Sequence, residues 1–147
     1  MSKDPIRSRE ETHTQRRREP LRVILDSNFL ITPAEYHIDI LQEIPRILGR
    51  SVEPVVPSEI HREIKQISLQ AGKRSSLALT LMKKCKLVDT EINEDERVDD
   101  AIVRLAQEWG SPVATNDQAL RRRLRSLGIP VLSMRGKKRL ELHGVVG

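Results

Sequence analysis

The stretch 112-PVATNDQALRRRLRSLGIPVLSM-134 reads as a strand over 112–115, a helix over 118–127 stopped by Gly128, and a second strand over 130–134. Two apolar runs joined through one helix predict a parallel β–α–β unit, because a chain returning through a helix re-enters the sheet in its original direction. The same alternation extends upstream. LRVILD (21–26), EPVV (53–56) and KLVD (86–89) have strand length and apolar content. Between them the spacing predicts a loop around Pro33, a helix over 36–48 bent at Pro45, a helix opening at 58–67, a polar break at 70–74, and helices over 75–84 and 99–109. Five short strands alternating with helices imply an α/β fold of three layers, a central parallel sheet of about five strands with helices on both faces.

The 147 residues suit one domain over 21–147, preceded by a charged segment, residues 1–20, too poor in large apolar side chains to offset its ordering entropy. We expect that segment to be a flexible, slightly basic tail. A net charge of +5 beside 21 acids describes a folded protein with unevenly spread charge, and makes a polyanion a natural partner. The lone Cys85, placed by its apolar surroundings in a helix, excludes an intramolecular disulfide and reads as a buried inert thiol. His13, His37, His61 and His143 are scattered, so zinc ligation of the usual kind has no support. No apolar run is long enough to cross a bilayer and no signal-peptide pattern opens the chain, so no membrane partner and a cytoplasmic location are expected.

In open parallel sheets ligands bind beyond the carboxyl ends of the strands. Asp26 ends the first strand, and Asp117 lies just past the fourth. Taken alone, each is equally a turn or cap residue. On the 99–109 helix, Ile102, Val103, Ala106 and Trp109 define the apolar face; Asp99 lies on that face, three, four and seven residues before the first three of them, whereas Asp100 falls beside Arg104 and Gln107, where an i,i+4 ion pair accounts for it. A carboxylate at an apolar face requires a cation or hydrogen bonds, so Asp99 needs a partner, although helix capping explains it too. Glu63 borders the face made by Ile60, Ile64 and Ile67.

LDSN (25–28), VVPSEIHREI (55–64), VDDAIVRLA (98–106) and VATND (113–117) together resemble the PIN-domain nucleases over roughly residues 21–135. The resemblance implies that Asp26, Glu63, Asp99 and Asp117 are the acidic residues of the active site, with the doubled acid leaving Asp100 as the alternative to Asp99. A serine stands at Ser27 where threonine is commoner, and keeps the hydroxyl. The stretches LDSNFLITPAEYHIDILQEIPRILG and VATNDQALRRRLRSLGIPVLSMRGKKRLELHG are similar to archaeal relatives of the PIN endonuclease of the small-subunit processome. That branch implies ribosomal RNA precursor as substrate, with ribosome-assembly proteins and a second copy of the chain as further partners.

Converging carboxylates repel one another unless a cation sits among them, and ligation by oxygen alone favours Mg2+ or Mn2+ over zinc. Such a site suits metal-dependent hydrolysis of RNA phosphodiesters. Ser27, Asn28, Thr115 and Asn116 would orient the acids or water. Arg121, Arg122, Arg125, Arg135, Lys137, Lys138 and Arg139 would hold phosphates, although four arginines spread around a helix cannot all face one ligand. With Phe29, Tyr36 and Trp109 the only aromatics, base stacking contributes little, and binding should depend steeply on salt. Competing readings are a toxin-type PIN ribonuclease of a toxin–antitoxin pair, a non-catalytic RNA-binding assembly factor, and a haloacid-dehalogenase-type phosphatase. The last needs an aspartate where Asn28 stands. Rossmann cofactor binding lacks its glycine motif.

Overall fold

A computed structural model describes residues 19–36, 38–71 and 73–146, with side chains left aside at 32–36, 71 and 73–76. Most of the N-terminal segment expected to be a tail thus lies outside the described residues. In chain order the elements are β1 (Leu21–Leu25), α1 (Ser27–Tyr36), α2 (Ile40–Leu48), β2 (Val52–Pro57), α3 (Ser58–Ala71), α4 (Lys73–Lys83), β3 (Lys86–Val88), α5 (Val98–Trp109), β4 (Val113–Ala114), α6 (Gln118–Ser126), β5 (Val131–Arg135) and β6 (Arg139–His143).

The strands form one sheet in the order β3-β2-β1-β4-β5-β6, parallel from β3 to β5 and antiparallel only between β5 and β6. The expected parallel sheet with helices on both faces is therefore present, with a sixth strand at its edge. β1 is central for a chemical reason: Val23, Ile24 and Leu25 are wholly buried, and a strand covered on both faces must be apolar on both. After β1 the chain moves towards β2, whereas after β4 it moves towards β5. Right-handed crossovers then send the two sets of helices to opposite faces. The carboxyl ends of β1 and β4 consequently flank the point where the chain's direction of travel across the sheet reverses, the place at which open α/β sheets bind ligands.

Local expectations are corrected: the helix expected over 36–48 begins only at Ile40, capped by Asp39, and the break expected at 70–74 is shorter, since α3 runs to Ala71 and α4 starts at Lys73. The region around Pro33 is helix, not loop, since α1 starts directly after Asp26, whose carbonyl accepts from the N–H of Phe29 and Leu30 at 3.2 Å each. Burial of Phe29 and Leu30 anchors that first turn. Cys85 lies just past α4, half-buried; its Sγ donates to the Leu81 carbonyl at 3.3 Å, and burial pushes its thiol up to about 11, so it is inert as expected. Residues 139–143, left unassigned by the charge run before them, form β6, which Gly136 permits by turning the chain at φ 63°.

The core is continuous across both faces. Phe29, Ile60 and Ile64 fill one side, while Ile102, Leu120 and Leu124 are equally buried on α5 and α6. α1, α3 and α4 pack on one another, α5 packs on β1, and α6 packs on β5. Burying each such Leu or Ile side chain stabilises the fold by about 1.5–3 kcal/mol, which is what fixes the helix ends relative to the strand ends.

Candidate active site

Asp26 ends β1 because its own N–H still belongs to the sheet, donating to the Ala114 carbonyl at 3.0 Å, while its carbonyl opens α1. Its side chain is 6% exposed. Oδ1 accepts from the Ser27 N–H at 2.8 Å, and Oδ2 accepts from the Thr115 hydroxyl at 2.8 Å. Burial nevertheless dominates and raises the Asp26 pKa above its usual 3.8, while the hydrogen bonds from Thr115 and Ser27 oppose it, and the charges of Asp99 and Glu63 add to the rise.

Thr115, wholly buried at the end of β4, joins two of the acids. Its single hydroxyl proton goes to Asp26 at 2.8 Å in preference to Asn28 Oδ1 at 3.5 Å, and its oxygen accepts the Asp117 N–H at 3.1 Å. Asp117 is the cap of α6, with Oδ1 accepting from the Leu120 N–H at 3.0 Å, so the cap bond engages one of its two oxygens. Two asparagines lace the loops together. Asn28 Oδ1 accepts from the Asn116 N–H at 3.0 Å, and Asn116 Oδ1 accepts from the Met134 N–H at 2.8 Å, tying α1, the β4–α6 turn and β5 into one floor.

The paired acids of α5 divide. Asp100 Oδ2 accepts from the Arg97 N–H at 3.1 Å as the capping-box residue, and Oδ1 takes Arg123 Nη1 of α6 at 2.5 Å. These contacts hold the Asp100 carboxyl below its usual range, Arg123 contributing most. The expected Asp100–Arg104 pair does not form, because Arg104 turns the other way, to Glu96 at 2.9 and 3.1 Å and to the Glu91 carbonyl at 2.7 Å. Asp99 is exposed at the rim, not buried on the apolar face; partial desolvation and the nearby Asp117 carboxylate raise its pKa, with Arg97 and Arg123 opposing. Glu63 is exposed on α3, and its charge reaches Asp26.

Mutual repulsion thus links Asp26 to Asp99 and Glu63, and Asp99 to Asp117. Among the described residues, however, no three His, Cys, Asp or Glu side chains form a group that could hold a metal ion by themselves. The two observations fit one kind of cation. Mg2+ keeps several of its waters and uses one or two carboxylates plus substrate phosphates, so a loose, all-oxygen constellation suits it and a closed cage is not needed. A cavity of about 450 Å3 lies at the other end of the strands, between Leu21, Pro112, Pro130 and Val145, with no acid in its lining. It therefore has no part in this chemistry.

The basic residues separate by position. Arg121 Nη1 donates to Ser133 Oγ at 3.3 Å, and Ser133 in turn meets His143 Nε2 at 3.0 Å. Arg125, one turn further along, donates to the Ile129 carbonyl at 3.2 Å and fills the space beside Gly144, next to the His143 that Ser133 meets, so both arginines face β5 and β6. Arg122 is exposed, as are Lys137, Lys138 and Arg139 in the β5–β6 hairpin; Arg135 there reaches Glu141 at 3.6 Å. Since β5 runs parallel to β4, this hairpin projects beyond the edge that carries the acids.

The model of the PIN like domain family matches residues 23–137, which include Asp26, Glu63, Asp99, Asp100 and Asp117. Ribonuclease VapC4 of Methanocaldococcus jannaschii is 36% identical over 132 residues, covering 85% of this chain and 98% of that protein. Among solved structures, the PIN domain endonuclease Utp24 superposes with a TM-score of 0.73 at 26% identity, covering 86% of this chain and 94% of the other. VapBC2 from Rickettsia felis, bound to a DNA fragment from its promoter, shares the fold with a TM-score of 0.58 at 12% identity, over 78% of this chain and 100% of the other. With the acids at the crevice beside β1 and a family match over most of its length, the chain belongs to the PIN-domain ribonucleases.

Proposed function

We propose that the protein is a Mg2+- or Mn2+-dependent endoribonuclease that cuts ribosomal RNA precursor. The observation that carries the nuclease reading is the join of Asp26 and Asp117 through the buried Thr115 hydroxyl at the ends of β1 and β4, with Glu63 and Asp99 adding their charges at Asp26. Those four residues would hold the cation, Asp26 and Asp99 most directly. When bound, a divalent ion supplies a lowered pKa for water and neutralisation of the phosphate and leaving oxygen. Thr115 and the Ser27 N–H fix both oxygens of Asp26, so that its carboxylate is presented in one orientation. Asn28 and Asn116 set the spacing between the β1 and β4 ends, and hence between Asp26 and Asp117.

RNA contacts come from Arg122, Arg135, Lys137, Lys138 and Arg139, which are exposed on the helix and hairpin bordering the acids. Phosphate contacts position the strand without reading its bases, so sequence preference is small and binding is salt-dependent.

Likeness to the endonuclease Utp24 across 94% of its chain supports endonucleolytic cutting, and the ribosomal substrate rests on the resemblance of LDSNFLITPAEYHIDILQEIPRILG and VATNDQALRRRLRSLGIPVLSMRGKKRLELHG to the processome branch. The 36% identity to Ribonuclease VapC4 supports a second reading, a toxin-type ribonuclease restrained by an antitoxin partner. Incubating the protein with ribosomal RNA precursor and with unrelated RNA, in Mn2+ or EDTA and beside Asp26→Asn, separates them. Discrete cuts confined to the precursor support the first reading. Equal cutting of all RNA that a co-purifying small protein suppresses supports the second. No Mn2+-dependent cutting of any RNA refutes both.

A further inference from the structure

Arg123 belongs to the basic run of α6, and its contacts lie within the fold. Its Nη1 lies 2.5 Å from Asp100 Oδ1, and the other oxygen of that carboxylate accepts the Arg97 N–H at 3.1 Å, closing the first turn of α5. One carboxylate therefore joins the N-terminus of α5 to the side of α6. On either side of this junction stand Asp99, the residue before Asp100, and Asp117, the cap of α6. These two acids repel, and Arg123 is one of two cations whose charge offsets that repulsion at Asp99. A helix N-terminus joined to its neighbour only by apolar packing would be free to pivot away.

We propose that Arg123 is a positioning residue of the carboxylate site, bracing α5 against α6 through Asp100 and so fixing where Asp99 stands relative to Asp117. The doubled acid at 99–100 then has two distinct duties, Asp100 for the brace and Asp99 for the ion. The inference rests on the proposed metal site, and the test separates the two.

Mn2+ binding is measured by calorimetry without RNA, alongside melting temperature, kcat and KM for a short RNA, in Arg123→Gln, Arg123→Lys, Asp100→Asn and the double variant Arg123→Gln/Asp100→Asn. The brace predicts that each glutamine or asparagine variant weakens Mn2+ binding about three- to tenfold with KM for RNA unchanged, and that the double variant is no weaker than the singles, as expected of residues acting as one unit. Arg123→Lys recovers part of the affinity, since it keeps the charge and loses the planar fork. Unchanged Mn2+ affinity with a lowered melting temperature reduces the pair to a structural contact and overturns the proposal. A raised KM for RNA with unchanged Mn2+ affinity makes Arg123 a phosphate ligand and overturns it equally. Asp26→Asn is the control for the metal site itself: Mn2+ binding that survives that change refutes the site, whatever Arg123 does.

Discussion

Thr115→Val probes the join between the two central acids with almost no change of volume. The substitution removes the hydroxyl that donates to Asp26 at 2.8 Å and accepts from the Asp117 N–H at 3.1 Å. A hydrogen bond to a charged group contributes about 1.5–3 kcal/mol and one between neutral groups about 1 kcal/mol, and Thr115 is wholly buried, so water cannot replace either. The expected loss of stability is about 2–4 kcal/mol near neutral pH. The two parts differ in pH dependence. Thr115 holds the Asp26 pKa down against the larger effect of burial, so without it the folded-state pKa rises further above 3.8. The contribution of that bond is present while Asp26 is ionised and is lost as pH falls through the folded pKa, whereas the stranded Asp117 N–H costs the same throughout. Urea denaturation of both proteins in EDTA, at several pH values from neutral into the acid range, measures the deficit. It should shrink as the pH falls. A deficit below about 0.5 kcal/mol, the range of an ordinary surface change, or one that stays constant with pH, refutes the assigned bonding.

Other consequences follow from the same geometry. Asp26→Asn should raise the melting temperature of the metal-free protein near neutral pH, because a carboxyl whose folded pKa lies above its unfolded value destabilises the fold once pH exceeds the folded pKa and not below the unfolded one; melting curves that show no gain, or a gain persisting at acid pH, contradict this. Asn116→Ala strands the Met134 N–H that its side chain accepts at 2.8 Å, and should cost about 1–3 kcal/mol in chemical denaturation while slowing cleavage. Lys137→Ala and Arg122→Ala should weaken RNA binding uniformly across sequences and reduce the salt slope by about one each, as read by fluorescence anisotropy over a salt series. Arg125→Ala, at the other end of α6, should leave that slope unchanged.

The strands were legible because burial on both faces demands uninterrupted apolar runs, and Val23-Ile24-Leu25 or Val131-Leu132 satisfy that demand over a few residues. α1 was obscured by Pro33, whose usual effect on helices was overridden by the burial of Phe29 and Leu30 beneath the sheet end. β6 carried a readable signal, the alternation in RLELH after Gly136, with Leu140 buried, but the preceding lysines masked it. Within the site, helical spacing put Asp99 on the apolar face and Asp100 beside Arg104, whereas Asp99 is exposed and Asp100 pairs with Arg123. The partner, Arg123, lies 23 positions away on another helix, and no local periodicity encodes a contact between helices.

The central claim is that the acids gathered at the ends of β1 and β4 hold a divalent ion that hydrolyses RNA. Single-turnover cleavage of a ribosomal RNA precursor fragment in Mn2+, compared between the unmodified protein and Asp26→Asn, tests it most directly. The account predicts cleavage that EDTA abolishes and that the substitution slows by more than about a hundredfold, the scale on which losing one transition-state contact is felt. Cleavage by Asp26→Asn at the unmodified rate would contradict it.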